Sequence, residues 1–418
     1  MKQRLLFACL AGVLSVGLLT GCKNDDSGGG GASAGAQPTW VPEKNIEWFD
    51  ASDGAPVDRP VSNGAGNAQE GDTIKVGLIA SLSGSEKPWG DESRKGAQLA
   101  VDEANAAGGI NGMQIELISE DTGGQPASGK TATERLVSSK KVLAVLGEVA
   151  SGVTGPAAEV CQGAGVPIIS IGSTRTALSE TGNMFFRVCY TDAFQGAMLA
   201  KFAYDTLGLK NVAILTDRQL PYSVGLSGDF KASFEALGGK IAAEDFYEKG
   251  TTDFKAQLTN LKASTPDGLF CSGYFTEIGP IARQRADVGL DVPMFGGDGW
   301  DSTELLNSGG DGIMGAYYSN HYSNLEDRAE VKDFVTKFKE KYDAEPANAM
   351  GALGYDAALV LIDSLKRASA MNSKSLRDAI AATSGLKAVS GMITMGPDGN
   401  AQKPGLILKA AMYDASSK

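Results

Sequence analysis

A continuous apolar run at residues 142–146 breaks at Gly147. Ser151, Gly152 and Thr154 then open a helical pattern that continues through Ala157, Ala158 and Val160. The run reads as a strand buried on both faces. A strand ending in a Gly/Ser turn at a helix start brings unpaired backbone N–H groups and a hydroxyl to one spot, and such a spot favours a carboxylate or a phosphate. Ser151 is therefore a candidate grip for the acidic end of a small ligand. An N-cap serving only its own helix is the competing reading. A second stretch, Gly124-Gln125-Pro126-Ala127-Ser128-Gly129-Lys130-Thr131, fits the phosphate-loop pattern G-x-x-x-x-G-K-[ST] and would mark a nucleotide hydrolase. Against that use, Glu120 and Asp121 stand just before it, where their charge opposes a triphosphate. Residues 120–123 also separate the first motif glycine from the strand end. A single histidine, His321, excludes a multi-histidine metal site and any His-dependent triad that it does not itself serve.

The chain around these stretches has 418 residues, enough for more than one core. Its 38 basic and 50 acidic side chains give a net charge of −12, which argues against nucleic acid and against adhesion to anionic lipid. At the N-terminus, Lys2 and Arg4 precede an apolar run, 5–19, that is shorter than the roughly 20 residues needed to span a bilayer. Leu19-Thr20-Gly21-Cys22 follows and resembles a bacterial lipobox, which implies cleavage after residue 21 and acylation of Cys22. The body is then exported, away from any ATP supply, and held at a membrane by its lipid. Residues 22–72 hold four consecutive glycines and few apolar side chains, so composition assigns them to a flexible linker reaching about 40 Å. Trp40, Trp48 and Phe49 are the exceptions that could dock. Beyond Cys22, three exported cysteines remain. Cys161 and Cys189 could pair in an oxidising compartment, whereas Cys271 in an apolar run reads as a small buried hydrophobe.

From Thr73 strand and helix patterns alternate. Strands fall at 74–80, 113–119, 142–146 and 166–171, with helices at 89–107 and 126–139. A second series begins after Arg187, with strands at 212–216, 240–246, 269–272 and 292–295 separated by helices. Three long helical patterns and a last strand at 407–413 complete the chain. The fold class is α/β: two doubly wound Rossmann-like lobes with a cleft between them. In such sheets ligands bind beyond the carboxyl ends of the strands.

Several motifs in this order resemble the branched-chain amino-acid type of periplasmic solute-binding protein, with the type I binding-protein fold of ABC importers. Ile74-Lys-Val-Gly-Leu-Ile-Ala-Ser-Leu-Ser-Gly84 is similar to the family's first strand and loop. Gly96-Ala-Gln-Leu-Ala-Val-Asp-Glu-Ala-Asn105 with Gly108-Gly-Ile-Asn-Gly112 is similar to its first helix and exit turn. Gly165-Val-Pro-Ile-Ile-Ser-Ile-Gly-Ser-Thr174 is similar to its second ligand loop, and Gly296-Gly-Asp-Gly-Trp300 to its far-lobe loop. The resemblance covers residues 73 to 414. It implies three interlobe crossings near 190, 321 and 394, with residues 73–190 and 322–393 as lobe I and 191–321 and 394–418 as lobe II. It also implies hinge closure on a ligand, a monomer, an ABC permease as partner, and no metal, cofactor or catalytic residue. Carried over by position, Ser151, Ser173 and Thr174 hold the ligand carboxylate and Asp298 its ammonium. Tyr222, Tyr274 and Trp89 form aromatic walls, while Phe275 and Trp300 read as packing. In this reading residues 128–137 are a surface helix. The family's usual disulfide would fall at residues 122–124 and Ala150, where this chain has no cysteine. Asp298 is one methylene shorter than the glutamate of the best-known members, so a short amide, urea or an aromatic acid stays open beside an amino acid. So does a sensing role in place of transport.

Overall fold

The computed structural model describes residues 36–51 and 57–413; the leader, Cys22 and the residues beyond 413 lie outside the described residues. Within that range the linker expectation needs correcting. Residues Gln37–Ile46 form a ten-residue strand, β1, antiparallel to the last strand of the chain. Its main-chain ladder and the edge-on packing of Trp40 against Tyr318, 4.6 Å between ring centroids, offset the ordering cost that composition alone leaves unopposed. The chain beyond it is also fastened. The Asn183 N–H donates to the Pro60 carbonyl at 3.0 Å, and the Ser373 N–H to that of Asn67 at 2.7 Å. The Asn67 amide in turn donates to the Val137 and Val142 carbonyls.

Strands β2 (Thr73–Ala80), β3 (Gln114–Asp121), β4 (Ala144–Leu146), β5 (Ile168–Ser170) and β6 (Phe185–Arg187) build a parallel sheet of order β3-β2-β4-β5-β6. Helices α1 (Lys87–Ala106), α2 (Pro126–Glu134) and α3 (Ser151–Ala164) lie between its strands in the chain. The buried runs of β2 and β4 match the unbroken apolar pattern of a sheet covered on both faces. After residue 191 the second series follows: α4 (Asp192–Lys201), β7 (Asn211–Asp217), α5 (Pro221–Ala236), β8 (Lys240–Tyr247), α6 (Lys255–Ala263), β9 (Gly268–Cys271), α7 (Phe275–Asp287), β10 (Met294–Gly296), α8 (Thr303–Gly309) and β11 (Tyr317–Asn320). The chain then returns to the first body as α9 (Ala329–Tyr342), α10 (Ala349–Arg367) and α11 (Ser373–Ala381). A small antiparallel sheet follows, β12 (Leu386–Ala388), β13 (Gly391–Met395) and β14 (Ala401–Gln402), which the sequence reading lacks. Strand β15 (Gly405–Tyr413) joins the second sheet, of order β1-β15-β11-β10-β9-β7-β8. The main chain therefore passes between the two sheets at residues 188–191, at 321–328 and through the β12–β14 region.

The returning helix α10 lies directly on α1. A Cβ at Gly96 would overlap the Gly351 carbonyl oxygen, and one at Gly354 would overlap that of Ser93. Two helix backbones meet this closely only because glycine presents no side chain at the crossing. Gly96→Val must push them apart, an overpacking expected to cost about 1–3 kcal/mol or more. A denaturant midpoint equal to wild type would contradict this account of the interface.

Candidate ligand-binding site

Beyond β4 the backbone turns at Gly147, where φ is +106° and a side chain would strike the Ile79 carbonyl. The buried Glu148 carboxylate then ties three strand ends together. One oxygen accepts from the Ser81 and Thr122 hydroxyls, each at 2.7 Å, and the other from the N–H groups of Val149 and Ala150. This network sits where the resemblance leads one to look for a disulfide. It consumes the last amides before the helix, so Ser151, the first residue of α3, is presented at a cavity that it lines.

That cavity lies between the two sheets, and Trp89, Ser151, Tyr222, Tyr274 and Asp298 all line it. Five of the seven predicted ligand residues are thus brought together. Ser173 and Thr174 are not in its lining, although the buried Thr174 hydroxyl has no hydrogen-bond partner among the described residues. The Ser173 hydroxyl lies 2.5 Å from that of Thr154 and donates to the Val149 carbonyl at 2.9 Å. The Thr174 carbonyl accepts from the Asp192 N–H at 2.7 Å. The sequence reading missed Val149, Gly172, Gly299 and Met350, which complete the lining. Met350 belongs to the first turn of α10, some 200 residues from Ser151, and no local pattern marks it. Val149, by contrast, follows the candidate strand directly and could have been inferred from its place in the turn.

Asp298 opens a short turn of 3-10 helix after β10 and is buried. Its main-chain N–H donates to Gln195 Oε1 at 2.7 Å, and the Gly299 N–H donates to the Tyr222 hydroxyl at 3.1 Å. One carboxylate oxygen, Oδ2, lies 3.0 Å from His321 Nε2. The other, Oδ1, is buried and has no hydrogen-bond partner among the described residues. An acceptor left in that state costs free energy until a donor arrives. Tyr222 stacks on Tyr274 with ring centroids 5.4 Å apart, and Trp89 meets Tyr274 edge-on at 4.9 Å. Burial, then the Asp298 charge, holds the Tyr222 hydroxyl well above its usual value, so it stays neutral. Phe275 packs on Trp89 and Trp300 donates to the Cys271 carbonyl at 3.1 Å, the packing roles expected of them.

The two bodies are closed onto one another around this cavity. Trp89 Nε1 donates across to the Asp301 carbonyl at 2.7 Å, the Ala349 N–H at the start of α10 donates to Asp301 Oδ2 at 2.6 Å, and Lys249 pairs with Glu86 at 2.7 Å. Burial raises the Asp301 carboxyl from 3.8 to about 6, although the Ala349 N–H and the Tyr318 phenol pull the other way. A carboxyl raised in the fold stabilises it when protonated: that contribution is full below about pH 4 and is lost as pH rises through about 6. His321, pushed down to about 4, acts with the opposite sign over much of the same window, so the informative quantity is a difference. The melting temperature of Asp301→Asn minus that of wild type should increase between pH 4 and pH 7. A difference independent of pH would refute the assignment.

The possible cysteine pairing is corrected, whereas the phosphate-loop stretch is helical, in line with the surface helix expected there. Cys161 and Cys189 are free, as is Cys271; all three are buried, and burial pushes their thiols up. The phosphate-loop stretch is the start of α2, with Lys130 exposed and Gly129 packed on Val153. Among the described residues no group of three or more His, Cys, Asp or Glu side chains is placed to hold a metal ion.

Two doubly wound bodies, crossed three times by the chain and closed over a polar-ended cavity, have the architecture of a type I periplasmic binding protein. The family model described as "Periplasmic binding protein" matches residues 73–414, and the chain belongs to that family. Among its relatives, the Leu/Ile/Val-binding protein homolog 3 of Brucella melitensis is 32% identical over 311 residues, covering 73% of this chain and 83% of that one. The leucine-binding protein LivK of Thermotoga maritima is 32% identical with a TM-score of 0.76, covering 83% of this chain and all of the other. The branched-chain amino-acid transporter substrate-binding protein LivJ of Streptococcus pneumoniae, solved in complex with isoleucine, is also 32% identical. Its TM-score is 0.75, over 82% of this chain and 100% of LivJ.

Proposed function

We propose that this protein captures a small zwitterionic amino acid, with a branched aliphatic side chain as the leading class, and delivers it to the permease of an ABC importer. The observation that carries this reading is the pairing, in one cavity, of a helix start at Ser151 with the buried Oδ1 of Asp298, which has no partner among the described residues. An α-amino acid presents an anion and a cation a few ångströms apart, and these two groups are complementary to them. Apolar surface from Val149, Met350 and Trp89 borders the same space and suits an aliphatic side chain. The names of the relatives, which specify leucine, isoleucine and valine, favour the same class.

In this reading residues 73–190 and 322–393 form one lobe and 191–321 with 394–413 the other, and they open about the three crossings to admit ligand. The leader 1–21 is removed and Cys22 carries lipid, which keeps the body, as a monomer, beside its membrane partner. Cys22→Ala would then release the protein from the membrane fraction. A thermal-shift screen of the lipid-free body against the common amino acids and small amides tests the ligand class. A true ligand at 100 times its Kd should add about 2.7 kcal/mol of stability. A screen in which no amino acid raises the melting temperature would refute the reading.

A further inference from the structure

Asp298 has a neighbour that the ligand motifs do not include. His321 is fully buried in the second crossing, and its ring stacks on Tyr190 of the first crossing with centroids 3.8 Å apart and planes inclined at 28°. Its Nε2 lies 3.0 Å from Asp298 Oδ2, and its Nδ1 has no hydrogen-bond partner among the described residues. One ring nitrogen is therefore engaged with the carboxylate, and the imidazole is held flat against a hinge residue.

We infer that His321 is a positioning residue for ligand recognition: its Nε2–H donates to Asp298 Oδ2, fixing the carboxylate so that Oδ1 faces the ammonium of the bound molecule. This rests on the zwitterion reading above. The alternative proton position would set an Nε2 lone pair against a carboxylate oxygen, which is repulsive, so the contact selects the Nε2–H form. Burial also holds the ring neutral near pH 7, its titration being pushed down to about 4. Neutrality matters because an imidazolium would cancel the carboxylate charge before the ligand arrived. A neutral donor orients Asp298 and leaves that charge for the ammonium. The stacking on Tyr190 places this orienting contact between two hinge crossings, so the carboxylate is aimed by segments that the two bodies share.

The test is calorimetry at pH 7 on wild type, His321→Gln and His321→Ala, each with L-leucine and with 2-hydroxy-4-methylpentanoate, which keeps the carboxylate and side chain but lacks the ammonium. Wild type should prefer leucine strongly. His321→Ala should reduce that preference about 10- to 100-fold, the size of a lost hydrogen bond to a charged group, chiefly by weakening leucine. His321→Gln, which retains an N–H donor, should recover part of it, and its melting curve guards against an alanine variant that fails to fold. Equal weakening of both ligands in the two variants, or no change in either, would overturn the positioning role. A wild type that binds neither ligand, or shows no preference between them, would instead overturn the zwitterion reading on which the role depends.

Discussion

Asp298→Ala is expected to weaken binding of a zwitterionic amino acid by about 3–5 kcal/mol, roughly a hundred- to several-thousand-fold. The magnitude follows from where the ammonium would be left. Asp298 is buried and shares the cavity lining with Trp89, Tyr222 and Tyr274; among the described residues its carboxylate has His321 on one oxygen and nothing on the other. An ammonium brought into that space without its counter-charge keeps the whole desolvation penalty and gains little in return. Ligand-free stability should move far less, because the substitution also removes a buried charge whose Oδ1 has no partner among the described residues. Calorimetry against leucine, run beside a ligand-free melt, separates the two effects. Leucine affinity within a few-fold of wild type would rule out the role assigned to Asp298.

Trp89→Ala carries the second large effect, and it acts on closure as well as on the pocket. The indole is buried, meets Tyr274 and Phe275 edge-on at 4.9 and 5.0 Å, and donates across the cleft to the Asp301 carbonyl. Truncating a buried tryptophan typically costs about 3–5 kcal/mol through lost contacts and the cavity left behind. Here part of that loss falls on the interface between the two bodies, so ligand affinity should drop together with melting temperature. Trp89→Phe isolates the hydrogen bond: it keeps most of the ring and removes the N–H, for about 1 kcal/mol. That smaller loss should appear mainly in affinity, since the contact it removes exists only when the bodies meet. If Trp89→Ala bound leucine as wild type does, the indole would have no part in ligand binding or in the closure that accompanies it.

How much of this was legible beforehand follows from the range of each signal. The strand–turn–helix at 142–156 is local, and apolar periodicity with a Gly/Ser break suffices to find it. The order of the motifs located Asp298, Tyr222, Tyr274 and Trp89, and all four line one cavity with Ser151. Ser173 and Thr174 were placed at the ligand by position, but the Ser173 hydroxyl is taken up by Thr154 and a carbonyl of the neighbouring turn. No spacing rule anticipates that competition. Residues 37–46 misled for a different reason. Composition weighs only what a segment can bury by itself, whereas β1 is held by the free edge of β15, a partner more than 350 residues away. The small sheet β12–β14 is made of strands of two to five residues, too short to show a period. His321 was read only as a bar to metal and triad chemistry. Its contact with Asp298 joins two loops 23 residues apart, and only the fold brings them together.

The central claim is that one molecule spans the cavity with its carboxylate at Ser151 and its ammonium at Asp298. A crystal structure of the protein with leucine measures this directly. The account predicts the α-carboxylate at the first turn of α3, within hydrogen-bond reach of Ser151, and the ammonium nitrogen about 3 Å from Asp298 Oδ1. Leucine bound with its ends reversed, or at a place that touches neither side chain, would contradict it.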